Sequence, residues 1–288
     1  MIPQSKSESH DSWGNIFLLI VPYILIVGIF QVIAMYIVGI DIDTANTTTE
    51  TPYQALVISF ATLIGTSLTV WSLLTWADKH SFKAMGFQII DVKKDIFKGL
   101  LLGFGLITIG FVSLILTNQI QIVQIQWNNG VLFIFLLHYI FVALSEEILF
   151  RGYILKNLMA SCNKYIALLI SSILFSLMHL ANNHIDAISI LELFIGGILL
   201  GLSYIYNKRL WLPVALHFSW NFFQGPIFGF NVSGHEHSYS LIQTHYENAN
   251  IWNGGSFGFE GSVLAVVFEL IAIIGLLFYF EKNKHSKY

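Results

Sequence analysis

Glu146-Glu147-Ile148-Leu149-Phe150-Arg151 sets two adjacent carboxylates and an arginine in an otherwise apolar stretch. Each ionised group costs on the order of 2.5–3.5 kcal/mol at mid-bilayer, so its presence asks for a reason. On a helix Glu147 and Arg151 are neighbours at i and i+4. Glu146 points about 100° away and is free to face a cavity. Phe175-Ser176-Leu177-Met178-His179 supplies an imidazole, and His217-Phe218-Ser219-Trp220-Asn221 supplies a second one with an amide on the same helical face. A carboxylate and an imidazole converging on one water make a general base with a proton partner. A further His and an Asn can donate hydrogen bonds to a developing oxyanion. Together they are the equipment for hydrolysing an amide without a covalent intermediate. No serine stands in a nucleophile motif, and the single Cys162 falls on a turn. Glu146, His179 and His217 also compose a His₂Glu set with an open position, a known catalytic zinc arrangement. The chain has no His-Glu-x-x-His, and Asn221 suits an oxyanion better than zinc. No cofactor is therefore the preferred reading, with zinc on those three residues as the alternative.

These residues are positioned by a chain built for lipid. Of 288 residues 55% are hydrophobic and 11% charged, and the mean hydropathy is +0.69. A soluble domain carries roughly 25% charged residues. A net charge of −3 with no basic patch excludes nucleic acid as a partner, and one cysteine excludes an internal disulfide. Eight apolar runs stand out: 16–40, 56–76, 99–116, 131–144, 165–180, 193–206, 210–223 and 262–280. The first is too long for a cleaved signal and lacks a basic n-region. The predicted fold is all-α, a single polytopic transmembrane domain over 1–288 with about eight helices. Its core, 131–225, holds a cavity between helices 4, 5 and 7.

The charges test that count. All 14 Lys and Arg fall in alternate connections and the two termini, including Lys93, Lys94, Lys156, Lys208, Arg209 and Lys282. The other connections (41–55, 117–130, 181–192, 224–261) hold none, only acids such as Asp41, Asp43, Glu50, Asp186, Glu236 and Glu247. The positive-inside rule then puts both termini in the cytoplasm. Ser161-Cys162-Asn163-Lys164, the one turn-like stretch between Glu146 and His179, lies midway between them. The two residues are therefore level across an antiparallel hairpin whose first helix, about 131–160, is roughly 45 Å long. His217 is about 13 Å from its own basic turn and Glu146 about 24 Å from its turn. The two meet only if residues 151–160, with Arg151 and Lys156, project into the headgroups.

The pattern Glu-Glu-x-x-x-Arg, Phe-x-x-x-His and His-x-x-x-Asn resembles the CAAX protease and bacteriocin-processing (Abi) family, the type II CAAX prenyl endopeptidases. Here it reads Glu146-Glu147…Arg151, Phe175…His179 and His217…Asn221, intact and in order over roughly 131–225. Phe82-Lys83-Ala84-Met85-Gly86-Phe87 is similar to the family's approach to its next span. The resemblance implies an eight-span intramembrane endopeptidase cutting near the membrane-embedded or lipidated end of a peptide or protein. It implies that Glu146 activates water with His179 while His217 and Asn221 hold the oxyanion, Glu147, Arg151 and Phe175 supporting them. The metalloprotease label attached to the family is similar to the zinc reading. The expected partners are the bilayer and a membrane-associated substrate, and the expected location is the plasma membrane. A transporter or proton relay would also place Glu and His in the bilayer, but no inverted repeat is present. A non-catalytic immunity or scaffold protein would keep the same fold.

Other features read as structural. His138 falls about 80° from Glu146 by helical rotation, a packing position. Glu192 and Glu269 are isolated acids, the latter without an evident partner. The 224–261 loop, with His235, His237 and His245, reads as solvated or interfacial. Gly197 and Gly201 have the spacing that lets helices approach closely. Asn46-Thr47-Thr48 and Asn231-Val232-Ser233 match glycosylation sequons.

Overall fold

A computed structural model describes residues 6–42, 49–77 and 81–285. Asp43, Lys79, Lys287 and the sequon Asn46–Thr48 lie outside the described residues. Eight apolar helices follow in order: α1 (Lys6–Ile37), α2 (Pro52–Trp76), α3 (Val92–Leu116), α4 (Asn129–Ser161), α5 (Lys164–Met178), α6 (Ala187–Asn207), α7 (Trp211–Phe222) and α8 (Val263–His285). Six are long and apolar enough to cross a membrane; α5, with 15 residues, and α7, with 12, are not. The protein is an all-α, multi-pass integral membrane protein, and its two short helices are those that carry the imidazoles.

Helix starts follow local chemistry. Thr51 and Gln54 form a reciprocal capping box with Pro52 in the first turn of α2. Asn128 accepts from the Val131 N–H at 3.2 Å, Asn163 from Tyr165 at 2.9 Å, and Asp186 from Ser189 at 2.8 Å. Side chains such as Phe17, Ile24, Ile109, Ile271 and Phe278 are exposed, as lipid-facing positions require. In contrast α6 is buried over most of its length and forms the centre of the bundle.

Close helix approach relies on glycine. A Cβ on Gly197 would meet Ser172 of α5 at 2.9 Å, and one on Gly201 would meet Leu168 at 2.5 Å. Gly99 and Gly103 serve the α3–α7 contact in the same way, where a Cβ would come within 2.5 and 2.7 Å of the Leu212 and Leu216 carbonyls. Arg209, on the α6–α7 turn, makes a forked pair with Asp95 of α3 at 2.6 and 3.1 Å. Outside the helices a two-stranded antiparallel ribbon, β1 (Gln121–Ile125) and β2 (Ile242–His245), pairs Gln121 with His245 and Ile125 with Ile242. The ribbon joins two loops that carry no Lys or Arg.

One sequence expectation is overturned. Arg151 does not reach the headgroups; it is 1% exposed and held inside the bundle. Glu147 and a backbone carbonyl satisfy it there, so it has no need to extend toward water.

Candidate active site

Glu146 and Glu147 end the regular part of α4, and Ile148–Leu155 continue it as a π-helical stretch with every residue buried. Such widened turns concentrate at functional sites. No signal in the residue spacing announced it. The two carboxylates diverge as helical geometry requires. Glu147 is wholly buried; its Oε1 accepts from Arg151 Nη1 at 2.7 Å and lies 2.9 Å from His217 Nδ1. Arg151 Nη2 donates to the Gly197 carbonyl at 3.0 Å, and the guanidinium lies over the Phe175 ring at 4.7 Å. Phe175 also packs on the His179 ring at 4.8 Å and on His217 at 6.3 Å. Four helices, α4 to α7, are thus locked around one arginine and one phenylalanine.

Glu146 faces the cavity and is 28% exposed. Its Oε2 lies 4.0 Å from His179 Nε2 and 3.8 Å from His217 Nε2. His179 and Glu146 are therefore level across the α4–α5 hairpin, and the short α7 brings His217 to the same depth. His179 Nδ1 donates to the Phe175 carbonyl at 2.8 Å, since a carbonyl can only accept. His217 Nδ1 donates likewise to the Glu147 carboxylate. With both Nδ1 protons placed there, Nε2 of each ring is the nitrogen turned toward Glu146, a lone pair in the neutral ring and a second N–H in the protonated one. Asn221, one turn beyond His217 on α7, is 5% exposed and lines the same cavity.

The cavity has a volume of about 920 Å³. Its walls include Thr49 and Glu50, Ala181–His184 and Val232–His237, all from the connections that lack Lys and Arg. The 224–261 loop thus forms part of the cavity wall. It folds over the cavity, with Asn182 Nδ2 donating to the Ser233 carbonyl at 2.9 Å and Gly234 N–H to Phe257 O at 2.9 Å. Gly234 takes φ +82°, and a Cβ there would sit 2.0 Å from the Asn183 carbonyl. His237 Nε2 faces the Tyr139 hydroxyl at 2.6 Å, and burial lowers its pKa to about 3. Burial pushes the Glu260 carboxyl up, while the Ser233 N–H and O–H, donating to it at 2.5 and 2.9 Å, pull it back. The side-chain amide of Asn231 donates to Ser256 O at 2.7 Å, so the second sequon is engaged in the fold. His138 packs as expected, its Nδ1 3.0 Å from the Ala55 carbonyl.

Residues 128–223 match the family model described as type II CAAX prenyl endopeptidase Rce1-like. No curated protein and no solved structure matches the chain. The matched segment begins at the Asn128 cap of α4 and ends where α7 runs into a second π-helical turn, Phe223–Ile227. It contains Glu146, Glu147, Arg151, Phe175, His179, His217 and Asn221. The same segment holds the His₂Glu set of the zinc reading, whose donor types suit a metal. Ligands bonded to zinc at about 2.0–2.1 Å stand roughly 3.4 Å apart in a tetrahedron. The separations of 3.8 and 4.0 Å are wider. Among the described residues no group of His, Cys, Asp and Glu is placed to hold a metal.

The residues missed in the sequence line the same cavity. Glu192 and Glu269, read as isolated, are hydrogen-bonded to each other, with Glu260 close by. Their signal was the cost of an acid inside an apolar helix; what was lacking was any spacing that links them.

Proposed function

We propose that the protein is an intramembrane endopeptidase that uses Glu146 and His179 to activate water and His217 and Asn221 to hold the oxyanion. The observation that carries this reading is the convergence of Glu146 Oε2 and two imidazole Nε2 atoms at 3.8–4.0 Å. That distance exceeds a hydrogen bond and suits a bridging water. Water donates one O–H to Glu146 and the other to His179 Nε2. Glu146 takes the first proton as the water oxygen attacks the scissile carbonyl carbon. The carbonyl oxygen becomes an oxyanion that accepts from Asn221 and from a protonated His217, whose Nδ1–H rests on Glu147. Glu146 then returns its proton to the amine nitrogen as the C–N bond breaks, releasing a carboxylic acid and an amine. No step uses a metal.

The substrate is a membrane-associated peptide or protein, cut near its embedded or lipidated end, and the basic side of the bundle faces the cytoplasm, with both termini there. The test is Glu146→Gln, which preserves size and removes the base. Cleavage of membrane peptides, followed by mass spectrometry, is expected to fall about 10³-fold, within the usual contribution of general acid–base catalysis, while the melting temperature in detergent is unchanged. Persistent cleavage removes Glu146 from its role, and an unaltered cellular phenotype with no cleavage by the native protein supports a scaffold instead. Activity lost to chelation and restored by zinc alone overturns the metal-free step.

A further inference from the structure

The cavity wall carries six glutamates, at positions 50, 146, 192, 236, 260 and 269, and no lysine or arginine. Three of the six are clustered. Glu192 on α6 is 3% exposed, Glu269 on α8 is 3% and Glu260, in the turn before α8, is 5%. The carboxyls of Glu192 and Glu269 are hydrogen-bonded to each other. A bond between two carboxyls needs at least one proton, and a buried pair of this kind carries a negative charge only where a cation or donor reaches it. Glu260 is matched by two donors from Ser233. Nothing comparable matches the pair: Glu269 Oε2 is buried, lines the cavity and has no hydrogen-bond partner. Gly196 keeps the space beside it open, since a Cβ there would stand 3.1 Å from Glu269 Oε1.

A buried carboxylate without a donor costs several kcal/mol unless a cation or donor reaches it. Among the described residues no ion pair reaches Glu192 or Glu269 from the cavity wall, which carries no Lys or Arg, and His179 and His217 face Glu146 instead. Arg151 is committed to Glu147 and the Gly197 carbonyl, and the wall histidine His237 is held neutral by burial. The donor geometry is also not that of a metal centre. An alkylammonium fits better: it is a compact charge with three N–H donors on an apolar stem. Leu193, Leu199 and Leu200 of the same wall can receive that stem.

We propose that the Glu192–Glu269 pair is a binding subsite for a primary ammonium group, supplied by a lysine side chain or a free amino terminus of the peptide bound at Glu146. The assignment rests on the peptidase reading of Glu146 and specifies the substrate class for it. The subsite selects a peptide that is apolar with one cationic group, and it binds that group within the cavity that Glu146 also lines.

The experiment uses full-length Glu146→Gln protein in detergent, so that binding is read without turnover. n-Hexylammonium is expected to raise the melting temperature in a saturable manner, while n-hexanol and Mg²⁺ leave it unchanged. In protein that also carries Glu192→Gln and Glu269→Gln, the apparent affinity for hexylammonium is expected to fall at least tenfold. If that variant does not fold, Glu269→Gln alone, which keeps the shape and the hydrogen bond of the pair, decides the matter. No shift with hexylammonium overturns the proposal, as does an equal shift with hexanol or Mg²⁺, or an affinity unchanged by the Gln variants. Displacement of hexylammonium by an amino-acetylated apolar peptide with one lysine assigns the side chain. Displacement by its norleucine analogue with a free amino terminus assigns the terminus, and displacement by neither overturns the substrate class. If these binding results hold while native protein cleaves neither peptide, the ammonium subsite stands and the peptidase reading falls.

Discussion

Two groups of buried glutamates stand under opposite terms. Around Glu147 each charge meets its complement within the protein: one carboxylate oxygen receives an arginine and an imidazole, and the arginine is finished by a carbonyl and an aromatic face. At Glu192 and Glu269 two acids meet each other with no Lys or Arg on the wall beside them; Glu147 Oε2 and Glu269 Oε2 alike lack a hydrogen bond, so the difference lies in the missing opposite charge. A closed charge network fixes geometry, because each member is expensive to release. An open one recruits something from outside, because the ligand completes what the protein omits. The Glu147 network is therefore expected to depend on its partners for folding, and the Glu192–Glu269 pair to depend on its charge only for binding.

The largest expected effect tests the closed network. Arg151→Met leaves Glu147 buried beside a single N–H donor, and breaking a buried pair this way costs about 3–5 kcal/mol. Chemical or thermal unfolding in detergent should show that loss, and Glu147→Gln added to Arg151→Met should recover most of it, because no charge is then stranded. If Arg151→Met is as stable as the native protein, the network is not what holds α4 to α6. Glu269→Gln makes the contrast, with a stability change expected within about 1 kcal/mol, since an amide replaces one member of an acid–acid pair without stranding a charge.

Asn221 separates folding from chemistry in the same cavity. Asn221→Ala removes the amide proposed to hold the oxyanion. The loss expected is about 10² in kcat, near 2.7 kcal/mol, with little change in KM and in melting temperature. A variant in which KM rises and kcat is kept would make Asn221 a substrate-binding residue.

The contrast also explains what could be read in advance. Glu147 and Arg151, Phe175 and His179, His217 and Asn221 are each four residues apart on one helix, so the sequence carries their mutual distance directly. The α4–α5 turn is a short one, and so Glu146 and His179 could be matched in depth by counting. The eight apolar runs and the sidedness of the basic residues follow from the bilayer, a one-dimensional constraint that a sequence expresses well. Glu192, Glu260 and Glu269 come from α6, a turn and α8, and no local rule links those elements. The same is true of the 224–261 loop, whose fold over the cavity depends on Asn182, Asn183 and Phe257 and on left-handed glycines. It is true also of the π-helical stretch after Glu147, which the surrounding packing imposes on an ordinary apolar sequence. Arg151 was misplaced for a related reason: a basic residue near a helix end is expected in headgroups, unless the fold brings a partner from elsewhere.

The smallest effect concerns how the loop closes on this cavity. His237, with its pKa lowered to about 3, is held neutral, its Nε2 accepting from the Tyr139 hydroxyl. An undocked loop would expose it with an ordinary pKa near 6.5. Because the docked value is the lower one, the contribution of His237 to docking is full above about pH 6.5 and falls as the pH drops toward 3. The slope is at most about 1.4 kcal/mol per pH unit, one proton's worth. His138 and His235 oppose a positive charge on the ring and act in the same direction. Hydrogen exchange or limited proteolysis of the 228–245 segment should therefore increase on acidification from pH 7.5 to 5. His237→Gln, which retains an acceptor for Tyr139 but cannot titrate, should flatten that dependence. An equal acid response in the variant would transfer the effect to other groups. No acid response in the native protein would mean that the loop does not release His237 to water when it opens.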